Sequence, residues 1–287
     1  MSLIEKAVER LEGLQQDPTK NGSSFVRRDE SASPQGASGA AVGAAESRKV
    51  ELDIARLASE GFITPESSGS LIAEEFRVLK RPLLGNVSGS AAPIRNANLI
   101  MVTSSLPGEG KSFTAVNLAI SIAMELERTV LLVDADVARP SLPRVLGVPQ
   151  QKGLLDVLQD KSLNLSDVLL RTNIDKLTVL TAGTADDRAT ELLASEAMGS
   201  LLTEIARRYS DRIVIFDSPP LLLTTEARVL ATRMGQIVFV VRAEETPQTA
   251  IKEALGTIEA CPIKLMVLNQ AKNIENVAYG YEYGYGY

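Results

Sequence analysis

The sequence has no histidine, no tryptophan and a single cysteine among 287 residues. Without histidine there can be no Ser-His-Asp or Cys-His hydrolase and no His-ligated zinc or haem. A catalyst built from this chain works with carboxylates, lysine, hydroxyls or a bound metal. Cys261 has no partner for an intramolecular disulfide, and its apolar neighbours in the sequence read as the setting of a packed core thiol in a reducing compartment. Long apolar runs are also missing. None approaches the roughly 18–20 residues of a membrane span, and the opening MSLIEKAVERLE carries Glu5, Glu9 and Glu12, unlike a secretory signal. Nor is there an excess of positive charge: the formal net charge of −6 argues against a nucleic-acid partner, because neutralising phosphates needs a basic surface. The expectation is a cytoplasmic protein that a membrane partner could still recruit.

Ile4, Ala7, Val8, Leu11 and Leu14 recur at helical spacing and predict an amphipathic helix over residues 2–15, within a first segment 1–15. Its polar face mixes Lys6 and Arg10 with three glutamates and lacks the basic excess of a membrane-surface helix. That leaves a docking element for a partner, or a helix folded onto its own domain. Residues 16–48 are rich in Ser, Gly, Ala and Asp and poor in large apolar side chains, so they predict a flexible linker. Residues 49–90 read as a helical extension: 50–61 and 70–81 regain helical periodicity, the second N-capped by Ser70 and stopped by Pro82.

Within residues 91–270, six apolar runs occupy 98–104, 129–135, 176–182, 212–218, 236–242 and 264–270. Their apolar character is nearly continuous, as expected of parallel strands covered on both faces, and helix-period segments such as 111–126, 189–208 and 247–260 separate them. The expected fold is α/β, a doubly wound and mainly parallel sheet. Ligands bind such sheets beyond the carboxyl ends of the strands, where each motif below falls.

The first strand runs into SSLPGEGKSF, with Pro107, Gly108, Glu109, Gly110, Lys111, Ser112 and Phe113 between strand and helix. Glycines let backbone N–H groups close on phosphate oxygens, and the helix N-terminus adds positive potential. Lys111 would reach the β/γ-phosphates, and the Ser112 hydroxyl would ligate magnesium. Ser105 stands where the pattern G-x-x-x-x-G-K-S/T has its first glycine. The second strand ends in Asp134 and Asp136, two residues apart; a divalent cation or a proton would relieve their repulsion, suiting cation binding or acceptance of a hydroxyl proton. The run IVIFDSPP delivers Asp217 to the sheet end, as in a Walker B element that holds magnesium. Leu106 occupies the position at which the MinD and ParA partitioning ATPases carry an additional lysine, which weighs against that reading.

The C-terminal segment 271–287 contains Tyr279, Tyr281, Tyr283, Tyr285 and Tyr287, five of the six tyrosines, alternating largely with glycine. Glycine denies this stretch a stable helix, so it is read as a mobile tail. Beside an ATP site with no evident external substrate, the clustered phenols read as phosphate acceptors.

The phosphate loop, the D-A-D motif, the D-S-P-P motif and the tyrosine tail, in this order, resemble the bacterial tyrosine kinases (BY-kinases) of exopolysaccharide synthesis, over about residues 70–287. The opening MSLIEKAVERLE, DADVARPSLP and EEFRVLKRPLL are similar to the tyrosine autokinases of exosortase and exopolysaccharide loci. The resemblance implies a MinD/ParA-like P-loop NTPase fold, ATP and Mg2+, and autophosphorylation. It implies Lys111, Asp134 and Asp136 as catalytic residues, with Asp134 the proton acceptor. Ser112, Asp136 and Asp217 would stand on the metal side, and Asn269 at adenine. Glu74, Arg77 and Lys80 fall on the family's E-x-x-R-x-x-R oligomerisation motif, with Lys80 in place of the last arginine. Implied partners are other copies of the chain, possible as a ring, a separate transmembrane polysaccharide co-polymerase that would bring the chain to the inner face of the plasma membrane, and a tyrosine phosphatase. The alternatives are a MinD/ParA-type ATPase and a nucleotide-gated, non-catalytic scaffold for a membrane assembly.

Overall fold

The computed structural model describes residues 48–89, 94–208 and 211–272, which belong to one compact unit. The helix expected at 2–15, the linker except for Arg48, and the five tyrosines of the tail lie outside the described residues.

The centre is an eight-stranded sheet. In chain order the strands are β1 Arg48–Lys49, β2 Leu99–Ser104, β3 Thr129–Asp134, β4 Leu170–Arg171, β5 Leu177–Leu180, β6 Arg212–Asp217, β7 Gln236–Arg242 and β8 Ile263–Asn269. In space they run β1-β4-β5-β3-β6-β2-β7-β8, parallel throughout except for the β4/β5 pair. The helices are α1 Ile54–Ser59, α2 Leu71–Ser88, α3 Lys111–Ala123, α4 Leu142–Leu146, α5 Leu154–Gln159, α6 Leu165–Val168, α7 Ala189–Ala194, α8 Glu196–Arg208, α9 Thr225–Ala231 and α10 Gln248–Gly256.

The continuous apolar runs follow from double coverage. In β2, Leu99 and Met101 pack in one core with α5, α7, α8 and α9, while Ile100 and Val102 pack in the other with α1, α2 and α3. Successive strand residues point to opposite faces, so a strand with helices on both faces needs apolar residues at every position. Strand β8 departs from this expectation. It lies at the sheet edge, and Met266 and Leu268 are exposed.

Several boundaries differ from the sequence expectation. Ser70 does cap α2, its Oγ accepting from Ala73 N at 3.3 Å, but Pro82 does not end the helix, which continues to Ser88. An interior proline removes one N–H-to-carbonyl bond. Here the residue four positions earlier, Val78, is exposed, so its carbonyl lies on a face open to water. Beyond the proline, buried Gln236 donates to Leu83 O at 3.1 Å and accepts from Asn86 Nδ2 at 2.8 Å, tying the last turns to the start of β7. Arg48, assigned to the linker, instead pairs with Leu170 in the short strand β1. The helix expected over 50–61 shortens to α1, and the 189–208 segment divides at Ser195, whose Oγ donates to Leu192 O and accepts from Met198 N. Cys261 is buried as expected, and burial pushes its thiol pKa up.

Candidate active site

Strand order places the chemistry. Strand β2 leads into the phosphate loop and lies between β6 and β7, while β6 separates it from β3. Val102 is in register with Asp217, and Asp217 with Asp134. The two acids therefore lie on adjacent strands, about 4.8 Å apart by the usual strand spacing.

The loop ends in Gly110, which precedes α3 with φ of 95°, a left-handed conformation that side chains other than glycine rarely adopt. Space excludes a side chain as well: a Cβ there would lie 1.9 Å from Asn269 Nδ2. Gly110 offers no side-chain cap, so the first N–H groups of α3 stay open to an anion.

Ser141, which the sequence reading passed over, holds the acids together. Its hydroxyl lies 2.8 Å from Ser112 Oγ and donates to Asp217 Oδ2 at 3.2 Å. Its backbone N–H and that of Leu142 both donate to Asp134 Oδ2 at 3.0 Å. The signal was the serine seven residues after Asp134 in DADVARPSLP, but serine is too common in turns to stand out without a structure. Pro107, Lys111, Ser112, Asp136, Arg139, Ser141 and Leu223 are among the residues lining a cleft of about 520 Å3. Asp134 is 0% exposed and does not line this cleft.

Burial dominates the electrostatics. It raises Asp134 to about 8, with the charge of Asp217 adding to the effect and the N–H groups of Leu142 and Ser141 opposing it. Burial also raises Asp217 to about 6, against the Ser112 hydroxyl and the Lys111 charge. Asp136 moves upward for the same reason, opposed by the Arg139 N–H and by Lys111. Asp134 Oδ1 and Asp217 Oδ1 are buried with no hydrogen-bond partner among the described residues. Two unpartnered carboxylate oxygens at neighbouring strand ends fit a cation. Among the described residues no three of His, Cys, Asp and Glu converge on one point. The donor set therefore suits Mg2+, which keeps waters and uses one or two carboxylates beside substrate phosphates, better than a cation that needs an all-protein cage.

Some expected site residues turn their side chains away from this cleft. The Glu109 side chain turns inward, away from the cleft, and the Phe113 ring packs on Phe62 with centroids 5.0 Å apart. Asn269 donates to Glu109 O at 2.9 Å and lines a second cavity of about 290 Å3 with Phe113, Thr114 and Val267. The oligomerisation motif divides. Glu74 and Arg77 are exposed or nearly so and form an ion pair with each other, whereas Lys80 is 5% exposed. Lys80 Nζ bonds Glu125 Oε1 at 2.7 Å and Ser121 O at 2.6 Å. The expectation that Lys80 meets a neighbouring copy is therefore corrected: its ammonium is spent joining α2 to α3 and the turn after it.

A mainly parallel sheet with a phosphate loop after β2 and acids at the ends of β6 and β3 defines a P-loop NTPase. Residues 95–242 match the ParA family, described as NUBPL iron-transfer P-loop NTPase. The chain is 33% identical over 214 residues to the tyrosine-protein kinase YwqD of Bacillus subtilis (strain 168), covering 74% of this chain and 86% of that protein. It is 32% identical over 196 residues to the succinoglycan biosynthesis transport protein ExoP of Rhizobium meliloti (strain 1021), covering 67% of this chain and 24% of that protein. The crystal structure of the chimerical protein CapA2B2 superposes with a TM-score of 0.61 at 26% identity, over 77% of this chain and 92% of that one. The chain belongs to the bacterial tyrosine-kinase family. Among the described residues no helix is long and apolar enough to cross a membrane.

Proposed function

We propose that the chain is an ATP- and Mg2+-dependent tyrosine autokinase that phosphorylates its C-terminal tyrosines between copies and regulates exopolysaccharide polymerisation or export. The observation that carries the site is the junction of Ser112, Ser141, Asp134 and Asp217 at the ends of three neighbouring strands. The N–H groups from Gly108 to Phe113 and the Lys111 ammonium bind and orient the phosphates. Asn269, at the end of β8, takes the adenine side. Ser112, Asp136 and Asp217 would hold Mg2+, which would supply positive charge to offset that of the phosphates. Asp134, the buried acid beside Asp217 at the end of β3, is the candidate acceptor for the phenol proton of the incoming tyrosine, in its ionised form. Tyr279, Tyr281, Tyr283, Tyr285 and Tyr287 are the acceptors, and Glu74 with Arg77 supports contact between copies.

The succinoglycan link in the name of ExoP supports the polysaccharide part of this reading. A separate transmembrane co-polymerase would recruit the chain to the inner face of the plasma membrane, and a tyrosine phosphatase would reset it. The segments 1–15 and 16–47 act as a docking element and its tether, 48–90 as the strand β1 and helical extension with the oligomerisation motif, 91–270 as the kinase domain and 271–287 as the substrate tail. The purified chain incubated with ATP and Mg2+ should gain phosphotyrosine, and Lys111→Met should not while melting like the parent. Undiminished phosphotyrosine in Lys111→Met would remove Lys111 from the site.

A further inference from the structure

Glu109 stands inside the phosphate loop, where a carboxylate facing the ligand would repel a polyphosphate. The fold removes it from that position. Glu109 is 3% exposed, and its Oε2 accepts from Leu106 N at 2.6 Å, closing the loop on itself. Its Oε1 accepts the hydroxyl of Thr246, in the turn between β7 and α10. Thr246 Oγ1 accepts in turn from the N–H of Arg242, the last residue of β7, at 3.0 Å. On the other flank, Asn269 Nδ2 donates to Glu109 O at 2.9 Å and Gln270 Nε2 to Gly108 O at 3.4 Å, both from the end of β8. One residue of the loop is thus tied to the ends of two strands that do not supply the loop.

A loop with glycines at φ of 81° and 95° loses much conformational freedom when its N–H groups converge on an anion. Holding it in that shape beforehand lowers the cost of binding. A buried carboxylate accepting from an N–H and an O–H makes charge-assisted bonds, stronger and more directional than neutral ones. Thr246 is the second half of the clamp.

We infer that Glu109 is a positioning residue: its carboxylate, held between the Leu106 N–H and the Thr246 hydroxyl, keeps the phosphate loop in its binding shape and couples it to the turn after β7. This rests on the proposed function only in that the loop takes a nucleoside polyphosphate.

The test uses the full chain, ADP with Mg2+ as the binding probe, and steady-state kinetics with ATP. Thr246→Val deletes the hydroxyl at nearly constant volume, and Thr246→Ser keeps it. Glu109→Ala removes both bonds. Glu109→Gln keeps an acceptor for Leu106 and can donate its amide to Thr246 Oγ1. Thr246→Val and Glu109→Ala should raise the ADP Kd and the ATP KM about 5- to 10-fold with kcat changed less than about twofold, because phosphates are gripped in ground and transition states alike. Thr246→Ser should stay within about twofold of the parent, and Glu109→Gln should bind ADP more tightly than Glu109→Ala does. The double variant Glu109→Ala/Thr246→Val should bind ADP no more weakly than Glu109→Ala alone, since both remove one shared bond. A lowered melting temperature with unchanged ADP affinity would overturn the inference, as would multiplicative losses in the double variant. Should Glu109→Ala fail to fold, the valine and serine variants at Thr246 still decide the matter. A parent chain that binds ADP yet forms no phosphotyrosine would refute the kinase reading and leave this inference standing.

Discussion

Lys80→Met separates a structural lysine from an interface lysine. The substitution keeps the length and apolar stem of the side chain and removes the ammonium that bonds Glu125 Oε1 and Ser121 O. Glu125 would retain only Arg81 at 3.8 Å. Breaking a fully buried pair costs about 3–5 kcal/mol, but Glu125 keeps 25% exposure, so roughly 2–3 kcal/mol is the reasonable figure. For a unit of this size that corresponds to a fall of roughly 5–10 °C in Tm. The loss has a pH signature. Lys80 holds the Glu125 carboxyl below its ordinary value of 4.5, chiefly through the hydrogen bond and then through charge, with Arg81 and Arg77 assisting. Because the folded-state pKa is the lower one, the pair stabilises fully above about pH 4.5 and loses its contribution as pH falls through the folded value. Thermal melts of parent and variant should therefore differ most near pH 7 and converge in acid, with both chains in the same assembly state at pH 7. An unchanged Tm together with loss of assembly would refute the burial argument and return Lys80 to the interface.

Asp134→Asn, Asp136→Asn and Asp217→Asn should each lose phosphotyrosine formation while the first and third melt no lower than the parent, since an amide relieves the repulsion between the two buried carboxylates. If Asp134→Asn lost only cation affinity and Asp136→Asn only the transfer step, their assigned roles would be exchanged. Ser141→Ala, which removes the hydroxyl joining Ser112 to Asp217, should lower kcat by about 5- to 10-fold with the fold retained, as circular dichroism and single-turnover kinetics would show. Glu74→Ala with Arg77→Ala should shift the chain toward monomer in light scattering and reduce phosphorylation between copies; identical masses for the pair and the parent would count against that interface.

The parts of this molecule that were legible in sequence are those set by local pattern. Apolar runs such as NLIMVTS and RIVIFDS found six strands because double coverage demands apolar residues on both faces, and GEGKS at a strand end located the phosphate loop. Long-range effects were not legible. Strands β1 and β4 have two residues each and carry no periodicity of their own; pairing with their neighbours creates them. Pro82 reads as a stop, and only the ties of Leu83 and Asn86 to Gln236, more than 140 residues away, explain why the helix continues. The same holds in the site. Ser141 and Thr246 lie far from the loop in sequence and reach it through hydrogen bonds that no spacing rule encodes, and the inward turn of the Glu109 side chain is set by those same long-range contacts. A lysine at the last position of a charge motif reads as a surface cation until its burial against Glu125 is known.

The central claim is that this phosphate loop transfers phosphate to the chain's own tyrosines. The direct measurement is tandem mass spectrometry of the purified full chain after incubation with ATP and Mg2+, beside Lys111→Met and a variant with Tyr279, Tyr281, Tyr283, Tyr285 and Tyr287 all replaced by Phe. The account predicts phosphate on several of these five tyrosines in the parent, none in Lys111→Met, and retained ADP binding without tail phosphate in the Phe variant. A parent chain that hydrolyses ATP at a steady rate while every tail tyrosine stays unmodified would contradict it.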